Sequence, residues 1–274
     1  MSSVPEAASD HSYVPRVTSP SQEAARSATL HASDGVRIEA AYDPGPPGSE
    51  LVIVVAHGFT GSLGRPAIRR TAEVFAQRAG VVTFSFRGHG GSGGRSTVGD
   101  KEVLDLDAAV AWARSLGHSR VATVGFSMGG SVVIRHAAEA RRGRTDASPD
   151  VMAAVSAPAR WFYRGTAPMR RLHWVVERRL GRVVSRLGLK TRIHPERWDP
   201  IPLSPVQSMP LIPPTPILIV HGDRDGYFPL DHPRSLAEAA PEAELWIEEG
   251  MGHAENAASE ELLQRIAEWA AQQP

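Results

Sequence analysis

The sequence predicts an α/β fold: a mostly parallel central sheet flanked by helices, with a helical cap inserted before the last strands. Three observations carry this. Short, continuous apolar runs such as Leu51–Ala56 recur along the chain, as expected of strands buried on both faces of a parallel sheet. Segments of helical periodicity lie between them, and strand–helix alternation is the pattern of a parallel α/β sheet. The alternation then stops at about residue 157 and resumes only at about 215, a stretch too long for an ordinary connection between neighbouring strands.

Each element follows in order. Residues 1–27, rich in Ser, Pro and Ala, read as a flexible tail and lack the apolar core of a secretory signal. Residues 29–32 and 36–42, split by Asp34-Gly35, read as an opening hairpin. Leu51–Ala56 is the first buried strand, followed by a helix over 66–79 that Gly80 closes. A strand over 81–86 leads to a helix over 100–116, then Arg120–Phe126 to a helix over 128–142, then a strand over 151–156. Beyond the interruption come strands at 216–220 and 244–247, with helices at 230–239 and 259–271. The expected organisation is a core over 28–156 and 215–274, with a cap or lid over 157–214. That insert has helical pieces near 168–187 and a proline-dense run over 195–216.

A chain of 274 residues suits one large domain, or one domain carrying an insertion. Thirty basic and thirty acidic side chains cancel, so no global charge favours nucleic acid or an anionic membrane. With no cysteine, disulfides, thiolate zinc sites and cysteine nucleophiles are excluded. No apolar run approaches the roughly 18 residues of a membrane span. A cytoplasmic protein, monomeric or a small homo-oligomer, is the expectation.

The chemistry centres on Gly125-Phe126-Ser127-Met128-Gly129, where a strand runs into a sharp turn and a helix begins at once. Such a G-x-S-x-G turn holds its serine in a strained conformation above the sheet, with glycines leaving room for the chain to pass. The helix N-terminus beneath favours developing negative charge. This motif in this setting resembles the α/β-hydrolase family, over about residues 28–272, and specifically its serine esterases, lipases and aminopeptidases.

The family order is Ser, acid, His. Two acids follow the late strand, in His221-Gly222-Asp223-Arg224-Asp225-Gly226-Tyr227-Phe228-Pro229. Resemblance to the family's H-G-x-x-D-x-x-x-P pattern puts Asp225 in the acid role and leaves Asp223 to cap the loop. His253 lies in the final strand–helix loop, Gly250-Met251-Gly252-His253, downstream of both other members. The resemblance also assigns the oxyanion-hole N–H donors to Met128 and Phe59, the latter from Ala56-His57-Gly58-Phe59. His57 then serves the loop rather than proton transfer.

The expected activity is acyl transfer from a small-molecule ester, with no cofactor and no metal. Thioesterase, peptidase and C–C hydrolase chemistry on the same scaffold stay open, as does a binding protein that has lost catalysis.

Four features compete for attention. Gly88–Gly93 spells G-x-G-x-x-G, but the next helix starts only near residue 100, so no helix N-terminus meets a dinucleotide there. It resembles the family's R-G-H-G-x-S loop, except that Ser85 stands where Asp is frequent, which questions one local hydrogen bond. Glu102, Asp105 and Asp107 read as a solvated face near a helix start. His118, His136 and His173 lack partners at metal-ligand spacing. The insert is basic, with arginines interleaved among Trp161, Phe162, Leu172, Trp174 and Leu180. Either its apolar stripe roofs the site and its arginines face water, or it recruits an anionic substrate or an anionic lipid surface.

Overall fold

The computed structural model describes residues 26–145 and 147–274. An antiparallel hairpin opens the fold, β1 (Arg26–His31) with β2 (Arg37–Asp43). Then β3 (Leu51–Ala56), α1 (Pro66–Phe75), β4 (Gly80–Phe84), α2 (Glu102–Ser115), β5 (Arg120–Phe126), α3 (Met128–Arg141) and β6 (Val151–Val155) alternate. The insert holds α4 (Ala167–Glu177), α5 (Arg179–Val184), a π-turn over Ser185–Leu189, α6 (Pro205–Ser208) and a 3-10 turn over Met209–Leu211. β7 (Ile217–Gly222), α7 (Asp231–Ala239), β8 (Glu244–Glu248), α8 (Ala254–Ala257) and α9 (Glu260–Gln272) complete the described chain. The expected tail lies outside the described residues, except that Arg26 and Ser27 already belong to β1.

The eight strands form one sheet in the order β1-β2-β4-β3-β5-β6-β7-β8. Pairing is parallel from β4 through β8 and antiparallel across β2 to its neighbours. Side chains alternate between the sheet's faces, and both faces are apolar. On β3, Val52, Val54 and Ala56 enter one core with α2, α3 and α7, through Leu106, Val132 and Leu236. Leu51, Ile53 and Val55 enter the other with α1 and α9, through Phe75, Leu263 and Ile266. Continuous apolar strands are therefore required, not incidental.

Two elements end earlier than their apolar patterns suggest. Past Phe84, Ser85 N–H still bonds the Glu39 carbonyl of β2 (3.1 Å), but Phe86 N–H turns away to His57 Nε2 (3.0 Å). Past Phe75, α1 tightens into turns from Gln77 to Val74 and from Arg78 to Phe75.

The acidic residues of α2 are not a solvated face. Glu102 and Asp105 are fully buried and Asp107 nearly so. The glycine-rich loop before α2 folds back over the helix and supplies donors. Glu102 accepts from Ser96, Thr97 and Gly99, and Asp105 from Arg87, while Asp107 accepts from His136 of α3. Burial disfavours the Arg87 cation, but Asp105 and Asp34 more than offset this and hold its pKa above the ordinary value.

Between β6 and β7 the apolar residues of two helices point in different directions. Met169, Leu172 and Val176 of α4 face the interior cavity. The apolar residues of α5 face water instead. Among the described residues no helix is long and apolar enough to cross a membrane.

Candidate active site

The end of β5 presents Ser127 in a positive-φ conformation, φ 52° and ψ −113°, a strained state that surrounding structure must impose. Ser127 N–H is anchored to the Val155 carbonyl of β6 at 2.8 Å. Glycine is needed on either side. A Cβ on Gly125 would stand 2.3 Å from the Gly129 oxygen, and one on Gly129 would stand 2.1 Å from the Ala56 oxygen. The turn can pass between β3 and α3 only without those atoms.

From the β8 edge of the sheet, at the same end of the strands, the loop after β8 brings His253 to Ser127. The Ser127 hydroxyl lies 2.9 Å from His253 Nε2, and His253 Nδ1 lies 2.7 Å from Asp225 Oδ2. An ionised carboxylate only accepts, so Nδ1 carries the proton and Nε2 accepts from the serine. The imidazole is stacked on Tyr227 at 4.2 Å and packs against Phe228 at 5.6 Å. Tyr227 stacking is a contact that sequence spacing does not announce.

Asp225 and Asp223 stand in different surroundings. The Asp225 side chain is fully buried, and its Oδ1 accepts from Tyr227 N–H (2.7 Å) and Phe228 N–H (3.1 Å). Burial pushes its pKa up, but the His253 contact and the two backbone donors outweigh burial and hold it below the ordinary value. Asp223 is exposed and accepts from Gly250 N–H at 2.7 Å. It thereby ties its own loop to the turn after β8.

The backbone N–H groups of Phe59 and Met128 have no hydrogen-bond partner among the described residues, and both residues line the same cavity as Ser127. His57 is fully buried and committed elsewhere: Nδ1–H donates to the Gly58 carbonyl (2.7 Å) and Nε2 accepts from Phe86 N–H. Burial pushes its pKa down to about 3, so it stays neutral and holds the loop.

A buried carboxylate behind that loop escapes sequence reasoning. Glu255, on the short helix α8, accepts from Gly58 N–H at 3.2 Å. Both its oxygens come within 3.1–3.2 Å of where a Gly58 Cβ would stand, with Ser127 Cβ 3.4 Å from the same point. Arg70 of α1 pins α8 by donating to the carbonyls of Glu255 (2.8 Å) and Ala258 (2.9 Å). The signal was present as the second residue after His253, but nothing in the sequence says what it faces. The Ser85 departure is likewise resolved across the sheet. Its hydroxyl donates to Glu39 on β2 at 2.6 Å, and Glu39 also accepts from Gly91 N–H.

Above Ser127 lies a cavity of about 500 Å³, whose wall mixes aromatic and aliphatic side chains with charged ones such as Arg160, Arg182 and Glu196. Trp161 and Trp198 meet edge to face at 5.1 Å, with Phe162 5.5 Å from Trp198, and Phe59, Tyr163 and Phe228 also line it. A family model described as the alpha/beta hydrolase family matches residues 53–265. The chain belongs to the α/β hydrolase family.

Solved α/β hydrolases and related structures share its fold at low identity. An esterase of Pyrococcus furiosus is 23% identical, with 90% of this chain and 91% of that one covered and a TM-score of 0.67. Est1E of Butyrivibrio proteoclasticus, solved with ferulic acid bound, is 20% identical over 90% and 99%, with a TM-score of 0.63. A serine hydrolase without a lid from Xanthomonas campestris is 19% identical over 92% and 95%, with a TM-score of 0.61.

Proposed function

We propose that this α/β hydrolase cleaves a carboxylic ester through an acyl-enzyme on Ser127. The observation that carries the reading is the unbroken hydrogen-bonded line from Ser127 Oγ through His253 to the buried Asp225, opening on a cavity with two unpartnered backbone donors.

In the first step the Ser127 oxygen attacks the ester carbonyl while its proton passes to His253 Nε2. The N–H groups of Phe59 and Met128 receive the oxyanion, in a site where preorganised donors contribute most. The C–O bond then breaks and His253 returns the proton to the departing alcohol. Water, deprotonated by the same imidazole, attacks the acyl-enzyme and releases the acid and Ser127. Asp225 keeps the imidazole in the required tautomer and stabilises its charged form. Nothing in this cycle calls for a cofactor or a metal. Residues 157–214 act as the cap, and the aromatic and aliphatic side chains in the cavity wall suit an apolar acyl group.

The test is direct. A fluorophosphonate probe labels Ser127 stoichiometrically in the folded protein, and Ser127→Ala lowers ester turnover by about 10⁴-fold or more with the melting temperature retained. Undiminished hydrolysis by that variant, or no labelling of folded wild type, rejects the reading. A panel of esters, thioesters and aminoacyl amides then assigns the bond cleaved.

A further inference from the structure

Helix α5 and the π-turn that continues it are built inside out. Leu180, Val183, Val184 and Leu187 recur at the i, i+3, i+4, i+7 spacing of a single apolar face. That face points to solvent, with the four side chains 65%, 52%, 45% and 76% exposed. The inward positions are small: Gly181 and Ser185 are buried. A Cβ on Gly181 would stand 2.5 Å from the Trp174 oxygen and 2.6 Å from Val175 Cα. α5 thus lies directly on the end of α4, and its large side chains have only the outer direction left. Contiguous exposed apolar surface of this kind marks an interaction site.

Its surroundings state the partner's charge. No Asp or Glu occurs between Glu177 and Glu196. Arg178, Arg179, Arg186 and Lys190 are exposed and make no ion pair among the described residues, whereas Arg160 and Arg164 pair with Asp231 and Glu177. A two-fold contact between copies would set this acid-free basic patch against itself, so a second copy is the wrong occupant. Apolar side chains flanked by unpaired cations match an interface of phosphate headgroups over hydrocarbon.

We propose that the outer face of α5 docks this protein on the surface of an anionic phospholipid bilayer, with Leu180, Val183, Val184 and Leu187 entering the headgroup boundary. Leu172 and Val176 of the adjoining α4 line the cavity over Ser127, so docking sets that cavity close to lipid. That last consequence rests on the hydrolase reading, and the docking does not.

Co-sedimentation of the full chain with two kinds of vesicle tests this: pure phosphatidylcholine, and phosphatidylcholine with one-third phosphatidylglycerol. The protein sediments with the mixed vesicles and not with the neutral ones, and high salt releases it. Leu180→Asp with Leu187→Asp abolishes sedimentation. Arg179→Ala and Arg186→Ala each weaken partitioning about fivefold. Because these side chains are largely exposed, melting temperatures stay near wild type, and the arginine variants carry the test if the aspartates disturb folding. No binding to anionic vesicles, or binding indifferent to all four changes, overturns the proposal. So does a solution dimer that the same changes dissociate. Hydrolysis of a soluble ester, measured in parallel, keeps the outcome separate from that of the catalytic reading.

Discussion

Asp223 and Asp225 stand two residues apart in one loop, and their different surroundings set different consequences for the same substitution. Asp225 accepts three N–H donors in full burial. In Asp225→Asn the new amide cannot receive both backbone donors and the imidazole proton, so His253 loses its tautomer. We expect kcat/KM on a soluble ester to fall by about 10⁴-fold. Asp223→Asn, at an exposed cap, costs less than about tenfold. The reverse pattern in steady-state kinetics would move the acid role to Asp223. The sign of the pH effect follows from the depressed Asp225 pKa. Its stabilising contribution is present above the unfolded carboxylate value of about 3.9 and is lost as pH falls through the lower folded value.

At the scale of elements, the short helix α8 matters more than its length suggests. It connects α1, through Arg70, to the loop after β3, through Glu255. That loop carries Phe59, so Glu255 is a positioning residue for the proposed oxyanion donor. Displacing such a donor by about 1 Å can cost 10²-fold in rate. Glu255→Leu is expected to lower kcat by about that factor with KM little changed. Glu255→Gln, which keeps a carbonyl acceptor for Gly58 N–H, restores most of the rate. Equal kcat in all three proteins would reduce Glu255 to packing. The strands and long helices were legible because period and burial are local properties of sequence. α8 was not, since four residues after a histidine carry no period, and its role comes from a partner 197 positions away.

Across the whole molecule, buried neutral histidines tie the loops to the sheet. His57 is pushed down to about 3 by burial, and His232 to about 4 mainly for the same reason. His232 Nδ1 accepts from Ala159 N–H at 2.9 Å, bracing the start of the insert. Unfolded histidine titrates near 6.5, so the unfolded chain binds more protons below that pH and stability declines as pH falls from about 6.5 towards 4. Melting temperatures measured from pH 7 to pH 4 are expected to fall continuously. His232→Asn, which keeps an acceptor for Ala159, flattens part of the slope. An unchanged melting temperature over that interval would mean that these rings do not control acid stability.

The order of strands and helices, the Ser127 turn and the place of His253 could be read from the sequence alone. Each depends on local signals: an apolar period, a pair of glycines, a loop between strand and helix. Tertiary structure decided the rest. It buried the Asp225 side chain and left Asp223 exposed, buried the acids of α2 that looked solvated, and set Glu39 and Glu255 behind the loops around Ser127. It also turned the apolar face of α5 outward, although its spacing is that of a buried helix. The physical reason is common to all four. A polar or apolar side chain takes its role from what lies across from it, and only the folded chain determines that neighbour.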